Sequence, residues 1–200
     1  MRRPLIKLSK NWRDYEKKHP NSKWLVMGKG PSIKNINLED YKDYIKIGVN
    51  DIEEIYKPDY LVIVDRINTF NGKRRDTIIN TKCEEIFTNN SQFSRELGSN
   101  VFKHQRLIEI PTINIRKNPN LQISKIVCSN NSTFVACDLA RFMGAIEINL
   151  IGVDFTDHVS LDNPNSVKII NEDFKIFKEE INKRNIKINN LSKISKINTI

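Results

Sequence analysis

The sequence predicts an α/β fold, with helices layered on a mostly parallel sheet. Three observations predict it. Short runs rich in Val, Ile, Leu and Tyr recur along the 200 residues. Most of these runs are continuously apolar, as strands covered on both faces are, and helix-like segments lie between several of them. A chain of this size, 38% hydrophobic and 28% charged, is long enough to bury a core and fits one globular domain with short appendages.

In chain order, residues 1–20 read as a basic N-terminal extension, with Leu5, Leu8 and Trp12 on one face of a short helix. Residues 23–28, Lys-Trp-Leu-Val-Met-Gly, form a strand that runs directly into the glycine turn Gly28-Lys-Gly-Pro-Ser32. Further strands are expected at 44–49, 60–64, 85–88, 107–110, 123–128 and 147–153, with a last one at 186–190. Each is an apolar run of strand length. Shorter helical segments are expected at 38–44, 51–56 and 91–97. A strong helix is expected at 132–143, where Phe134, Cys137, Leu139, Ala140 and Met143 fall largely on one side, with Ser132 as N-cap and Gly144 as stop. A second covers 171–184, with Phe174, Phe177 and Ile181 at i, i+3 and i+7. Residues 66–82 and 155–170 show no period and read as loops. Both follow strand ends, where ligands bind in open parallel sheets. No repeat and no Gly/Ser- or Pro-rich linker divides residues 21–200, which read as one domain.

The net charge is +9, but residues 1–18 and 175–196 each hold seven basic and two acidic side chains. Residues 19–174 therefore sum to −1. A balanced middle argues against nucleic acid as the main partner. The basic ends fit an anionic inner-membrane surface, an acidic glycan or nucleic acid, or simply keep the chain in solution. No apolar run approaches the length of a membrane span, and Met-Arg-Arg-Pro is not followed by a secretory core, so a cytoplasmic location is expected. Cys83, Cys128 and Cys137 have neither zinc nor disulfide spacing and read as small buried hydrophobes.

Four places carry candidate chemistry. At Gly28, Lys29, Gly30, Pro31 and Ser32, glycines allow close backbone approach, exposed N–H groups suit a phosphate, and Lys29 adds positive charge. It is not a Walker A loop. At the next strand end, Asn50 can read a base or ribose edge, or else Asn50 or Asp51 caps the helix that begins there. Asp65 ends an apolar strand, where a carboxylate bonds a ribose hydroxyl or ligates a divalent metal. The fourth place begins at Ser129-Asn-Asn-Ser132-Thr133, whose N–H groups and hydroxyls meet at a helix N-terminus, a seat for an anion. The strand that follows delivers Asp154, Asp157 and His158 to the same edge, with His158 titrating near neutrality as an acid–base candidate. His19 and His104 have no evident partner.

Gly-Lys-Gly-Pro-Ser at 28–32, the Asn at 50, Pro-Asp-Tyr-Leu-Val-Ile-Val-Asp at 58–65 and the Ser-rich loop leading to Ile-Asn-Leu-Ile-Gly-Val-Asp-Phe at 148–155 occur in this order in two known groups. The chain resembles the bacterial sialyltransferases and the motility-accessory-factor glycosyltransferase and 6-hydroxymethylpterin diphosphokinase-like group, which is also frequent in phage and prophage genomes. The resemblance covers residues 23–190. It implies that Gly28, Gly30, Pro31 and Ser32 line a nucleotide pocket, that Asn50 contacts the nucleotide, and that Ser132 and Thr133 touch the donor sugar or its phosphate. The family's histidine base and phosphate-binding tyrosines do not carry over directly. The segment after Asp154 is short and lacks Tyr, His158 lies closer to the Gly-Val-Asp motif than the family's histidine, and Lys29 stands where Asn is common.

The combined expectation is a single Rossmann-like α/β/α sandwich over residues 21–200 that binds a nucleotide-activated sugar, with CMP-sialic acid among the candidate donors. It would transfer the sugar to a glycan or another hydroxyl acceptor, with His158 or Asp154 as base, Lys29 and the loop N–H groups on the leaving phosphate, and no cofactor. The alternative is a diphosphokinase-like enzyme in which Asp65, with Asp154, holds Mg²⁺ across ATP phosphates. A non-catalytic nucleotide- or glycan-binding module is the third reading.

Overall fold

A computed structural model describes residues 11–90, 106–121, 125–129, 131–156 and 164–200. The elements are β1 (Ser22–Met27), β2 (Ile45–Val49), β3 (Tyr60–Val62), α1 (Gly72–Ile79), β4 (Glu85–Thr88), β5 (Arg106–Glu109), β6 (Thr112–Asn114), β7 (Ile126–Cys128), α2 (Ser132–Phe142), β8 (Ala145–Ile151), α3 (Pro164–Asn182) and β9 (Lys187–Asn190).

Alternation along β1 sets the layers, because successive side chains leave a strand on opposite faces. Trp24 and Val26 join Phe134, Phe174 and Phe177 in the core under α2 and α3, while Leu25 and Met27 join Ile52, Ile67, Phe70 and Ile78 on the other face. The sheet order is β5-β4-β3-β2-β1-β8-β9, with every pairing parallel. The fold is therefore the expected Rossmann-like α/β type. From β1 the chain steps outward through β2 to β5 and then returns to β8 on the opposite flank of β1. The topological switch point, where such sheets open a crevice at their carboxyl ends, lies between β1 and β8.

Helix α2 is buried from Ser132 to Ala140, as a helix packed on all sides must be. Its one acid, Asp138, has no exposure. That carboxylate accepts from Val127 N–H at 2.7 Å and pairs with the Arg141 guanidinium, which compensates its buried charge.

Several expectations are corrected. The helices expected at 38–44 and 51–56 are only single 3-10 turns, Leu38–Tyr41 and Ile52–Glu54. The expected loop at 66–82 contains α1, and α3 begins at Pro164 rather than near 171. Strand β7 pairs with the unanticipated β6 in a separate two-stranded sheet. Leu5, Leu8, His104 and the 91–97 helix lie outside the described residues. Residues near the chain start pack on the core. Tyr15 is buried, Lys17 N–H donates to Phe142 O at 2.9 Å, and His19 N–H donates to Met143 O at 2.9 Å. His19 has the partner its sequence context did not reveal, Tyr60 Oη at 2.7 Å from Nε2. Burial, aided by Lys18, holds the His19 imidazole below its ordinary pKa. No described helix is long and apolar enough to cross a membrane. Cys83 and Cys137 are buried and Cys128 half-buried. Burial pushes all three thiols up, Cys83 to about 12, as expected of packing residues rather than nucleophiles.

Candidate functional site

The switch point is built by two turns pressed backbone to backbone. Gly28 N–H donates to Ile151 O at 2.9 Å, and Gly30 N–H donates to Gly152 O at 2.7 Å. A Cβ on Gly28 would lie 2.4 Å from Gly152 O, and one on Gly152 would lie 2.2 Å from Gly28 O. Gly152 also has φ +61, a left-handed conformation that glycine adopts without steric cost. These glycines are required by each other's approach as much as by any ligand.

Asp154 completes the lock. Its side chain is buried, with Oδ2 accepting from Ser32 N–H at 2.7 Å and Oδ1 from Ser32 Oγ at 2.5 Å. Both carboxylate oxygens are turned onto the glycine loop, so the Asp154 side chain holds that loop in place. Most of the loop's backbone donors are engaged: Gly28, Gly30 and Ser32 use their N–H groups within the protein and Pro31 has none, while Lys29 N–H has no acceptor among the described residues. Further donors on the same cleft lie on another element.

They are available at the start of α2. Asn131, not Ser132, is the N-cap, its Oδ1 accepting from Phe134 N–H at 2.7 Å. The first helical turn leaves the N–H groups of Ser132 and Thr133 without helical acceptors. Ser132 Oγ is free of capping and donates to Asn50 Oδ1 at 3.2 Å. Asn50 sits at φ 53 at the end of β2, a conformation Asn tolerates better than most residues. Phe155, at φ 52, has no such excuse, and strain of this kind is retained mainly where function requires it.

Lys29 does not stand free for a phosphate. Its Nζ lies 2.5 Å from Asp51 Oδ2 and 3.1 Å from Glu54 Oε2. Asp51 is almost fully buried and also receives Arg74, which donates from Nε to Oδ2 and from Nη2 to Oδ1, each at 3.1 Å. Burial opposes ionisation of Asp51, but the hydrogen bonds and charges of Arg74 and Lys29 outweigh it and hold the carboxyl below its usual range. Asp51 heads the 3-10 turn without a side-chain cap; its ion pairs replace that role.

These groups surround a cleft of about 680 Å³, within the usual range for small-molecule sites, roughly 300–1,000 Å³. All of Gly28, Lys29, Gly30, Pro31, Asn50, Asp65, Ser132, Thr133 and Asp154 border it. Ser32 lies just behind, on Asp154. His158 and Asp157 lie outside the described residues. The residues that sequence reasoning missed are Asn131, Phe70 and Arg74. Asn131 was one of five polar residues in a row, any of which suits a cap, and Arg74 lay in an apparent loop. Asn131 Nδ2 and Thr156 Oγ1, both on cleft-lining residues, are buried without a hydrogen-bond partner among the described residues. Among the described residues no three His, Cys, Asp or Glu side chains converge as a metal site.

No protein-family model matches this chain, and no curated protein sequence matches it. Solved structures similar to it include the following two. The MAf glycosyltransferase from Magnetospirillum magneticum AMB-1 matches 75% of this chain at 13% identity with a TM-score of 0.45. This chain spans 28% of that protein's length. A point mutant of the α-2,3/8-sialyltransferase CstII matches 85% of this chain, and 81% of its own, at 17% identity with a TM-score of 0.43.

Proposed function

We propose that this protein is a glycosyltransferase-like enzyme that seats the nucleotide of an activated sugar in the cleft at the β1/β8 switch point and transfers the sugar to a hydroxyl acceptor. The observation that carries this reading is the convergence, at that crevice, of two interlocked glycine turns, the first turn of α2 and the Asn50 side chain. A parallel sheet has its ligand site at this point. Orphaned polar atoms and a strained aromatic residue at the same wall support a site that a ligand completes.

In this reading the donor phosphate lies at the start of α2, where the Ser132 and Thr133 N–H groups and the positive end of the helix dipole favour negative charge. Asn50 offers its amide to a base or ribose edge. The acceptor oxygen attacks the anomeric carbon and gives its proton to a base. The bond from that carbon to the phosphate oxygen breaks, and the electron pair leaves with the nucleotide. With Asp154 turned onto Ser32 and Lys29 held by two carboxylates, His158 is the remaining candidate base and the α2 start the main stabiliser of the leaving phosphate. A CMP-linked donor of the sialic acid type and a glycan acceptor rest on the order of motifs along the chain.

The test is turnover of CMP-, UDP- and GDP-sugars, with Mg²⁺ and with chelator. The expected result is nucleotide release from one donor class that persists in chelator. His158→Ala should lower that turnover by about 10² or more with donor affinity near native. Release from none of these donors, with Mg²⁺-dependent pyrophosphoryl transfer from ATP lost on Asp65→Asn, would replace this reading with the diphosphokinase one.

A further inference from the structure

Arg74 is a cleft residue that the proposed transfer leaves without a task. It lies in the first turn of α1 with half its side chain exposed. The guanidinium is fixed in two ways, 5.1 Å from the Phe70 ring centroid and by a two-point bond to Asp51. An arginine held by a buried carboxylate and a ring has lost most of its side-chain freedom before any ligand arrives, so a further bond costs little ordering. Nε and one Nη2 hydrogen are used on Asp51. The Nη1 pair has no partner among the described residues, which leaves part of the guanidinium fork open.

Lys29, Lys73 and Arg74 meet Asp51 and Glu54, and Asp65 and Asp154 line the same cleft. The cleft therefore carries no net positive charge, and an anion there is recognised by the directional fork of Arg74 rather than by diffuse positive charge. The fork is also close to the α2 start. Asp51 holds Arg74, and its neighbour Asn50 accepts from Ser132 Oγ. Two seats for negative charge, on separate elements, thus meet through adjacent residues.

We propose that Arg74 forms a second anion subsite, so that the preferred donor carries two separate anionic groups: the phosphate beside α2, and either a second phosphate or a carboxylate on the sugar. This rests on the nucleotide-sugar reading above.

Calorimetric titration of the native chain, Arg74→Gln and Arg74→Lys with CMP, CDP and CMP-N-acetylneuraminate tests it. The native chain should bind at least one of the two doubly anionic ligands about tenfold more tightly than CMP, as one added charge-assisted contact provides. Preference for CDP assigns a second phosphate, and preference for the sugar acid assigns a carboxylate. Arg74→Gln should reduce the ratio to about one. Arg74→Lys, which keeps a charge on Asp51 and so guards against simple loss of the fold, should retain only part of it because it lacks the fork. A ratio that survives Arg74→Gln, or a native chain that binds CMP with no preference, overturns the subsite and leaves the nucleotide reading standing. Binding of none of the three overturns both.

Discussion

Gly152→Ala is expected to destabilise the protein by more than about 3 kcal/mol. At roughly 2–4 °C per kcal/mol for a chain of this size, the melting temperature falls by about 6–12 °C. The added Cβ would meet Gly28 O at 2.2 Å and Gly28 C at 2.9 Å, both backbone atoms of the central strand's turn. Neither can rotate away as a side-chain end would. The φ of +61 adds strain of its own. Relief requires the β1 and β8 turns to part, which breaks the Gly30 N–H to Gly152 O bond and opens the wall of the cleft. Thermal melts of the two proteins measure the cost. A change within about 1 °C would mean the turns do not sit as tightly as described, since ordinary surface substitutions stay within roughly 0.5 kcal/mol.

Asp154→Ala is expected to cost about 2–4 kcal/mol, because it strands two buried donors, Ser32 N–H and Ser32 Oγ–H, and each such group costs roughly 1–3 kcal/mol. The carboxylate ties residues 122 positions apart in sequence, so its loss frees the glycine loop rather than only weakening one contact. Asp154→Asn separates this role from catalysis. Its amide keeps an acceptor for one Ser32 donor but presents N–H to the other, so its melting temperature should fall between native and Ala. A general base would instead lose turnover in both variants with no change in stability. Paired melting curves and donor turnover distinguish the two.

The strands were legible because both faces of the sheet are covered, which makes each strand a short unbroken apolar run. Residues 85–88 coincide with β4, and the other main-sheet runs differ from their strands by a residue or two at the ends. Helix α2 was legible because apolar residues recur at helical spacing between a polar start and Gly144, although the structure buries the helix all round rather than on one face. Helix α1 was not. Of its residues only Ile78 is buried, and it is held in part by Arg74 on Asp51, a contact across 23 residues that no local period records. The early start of α3 had a signal, Pro164 in the first turn, which suits proline because the N–H is unpaired there in any helix.

The site divides in the same way. Its location was legible, since glycine turns, Asn50 and a polar helix start at strand ends imply a crevice at the carboxyl edge. The roles within it were not, because they depend on which groups are already engaged. Lys29 is paired with Asp51 and Glu54, and both oxygens of Asp154 accept from Ser32, pairings that no local pattern in the sequence records. Charge and motif position name candidates, while long-range pairing decides which remain available.

The central claim is that the crevice between the β1 and β8 turns seats a nucleotide at the start of α2. Thermal unfolding of the native chain with CMP, CMP-N-acetylneuraminate, UDP- and GDP-sugars, ATP and a pterin, each with Mg²⁺ and with chelator, tests it most directly. A ligand at 100-fold excess over its Kd adds about 2.7 kcal/mol, which at this chain size is a rise of roughly 5–10 °C. The account predicts such a rise with a nucleotide or nucleotide-sugar, undiminished by chelator. No rise with any of them, or a rise only with ATP and Mg²⁺, would contradict it.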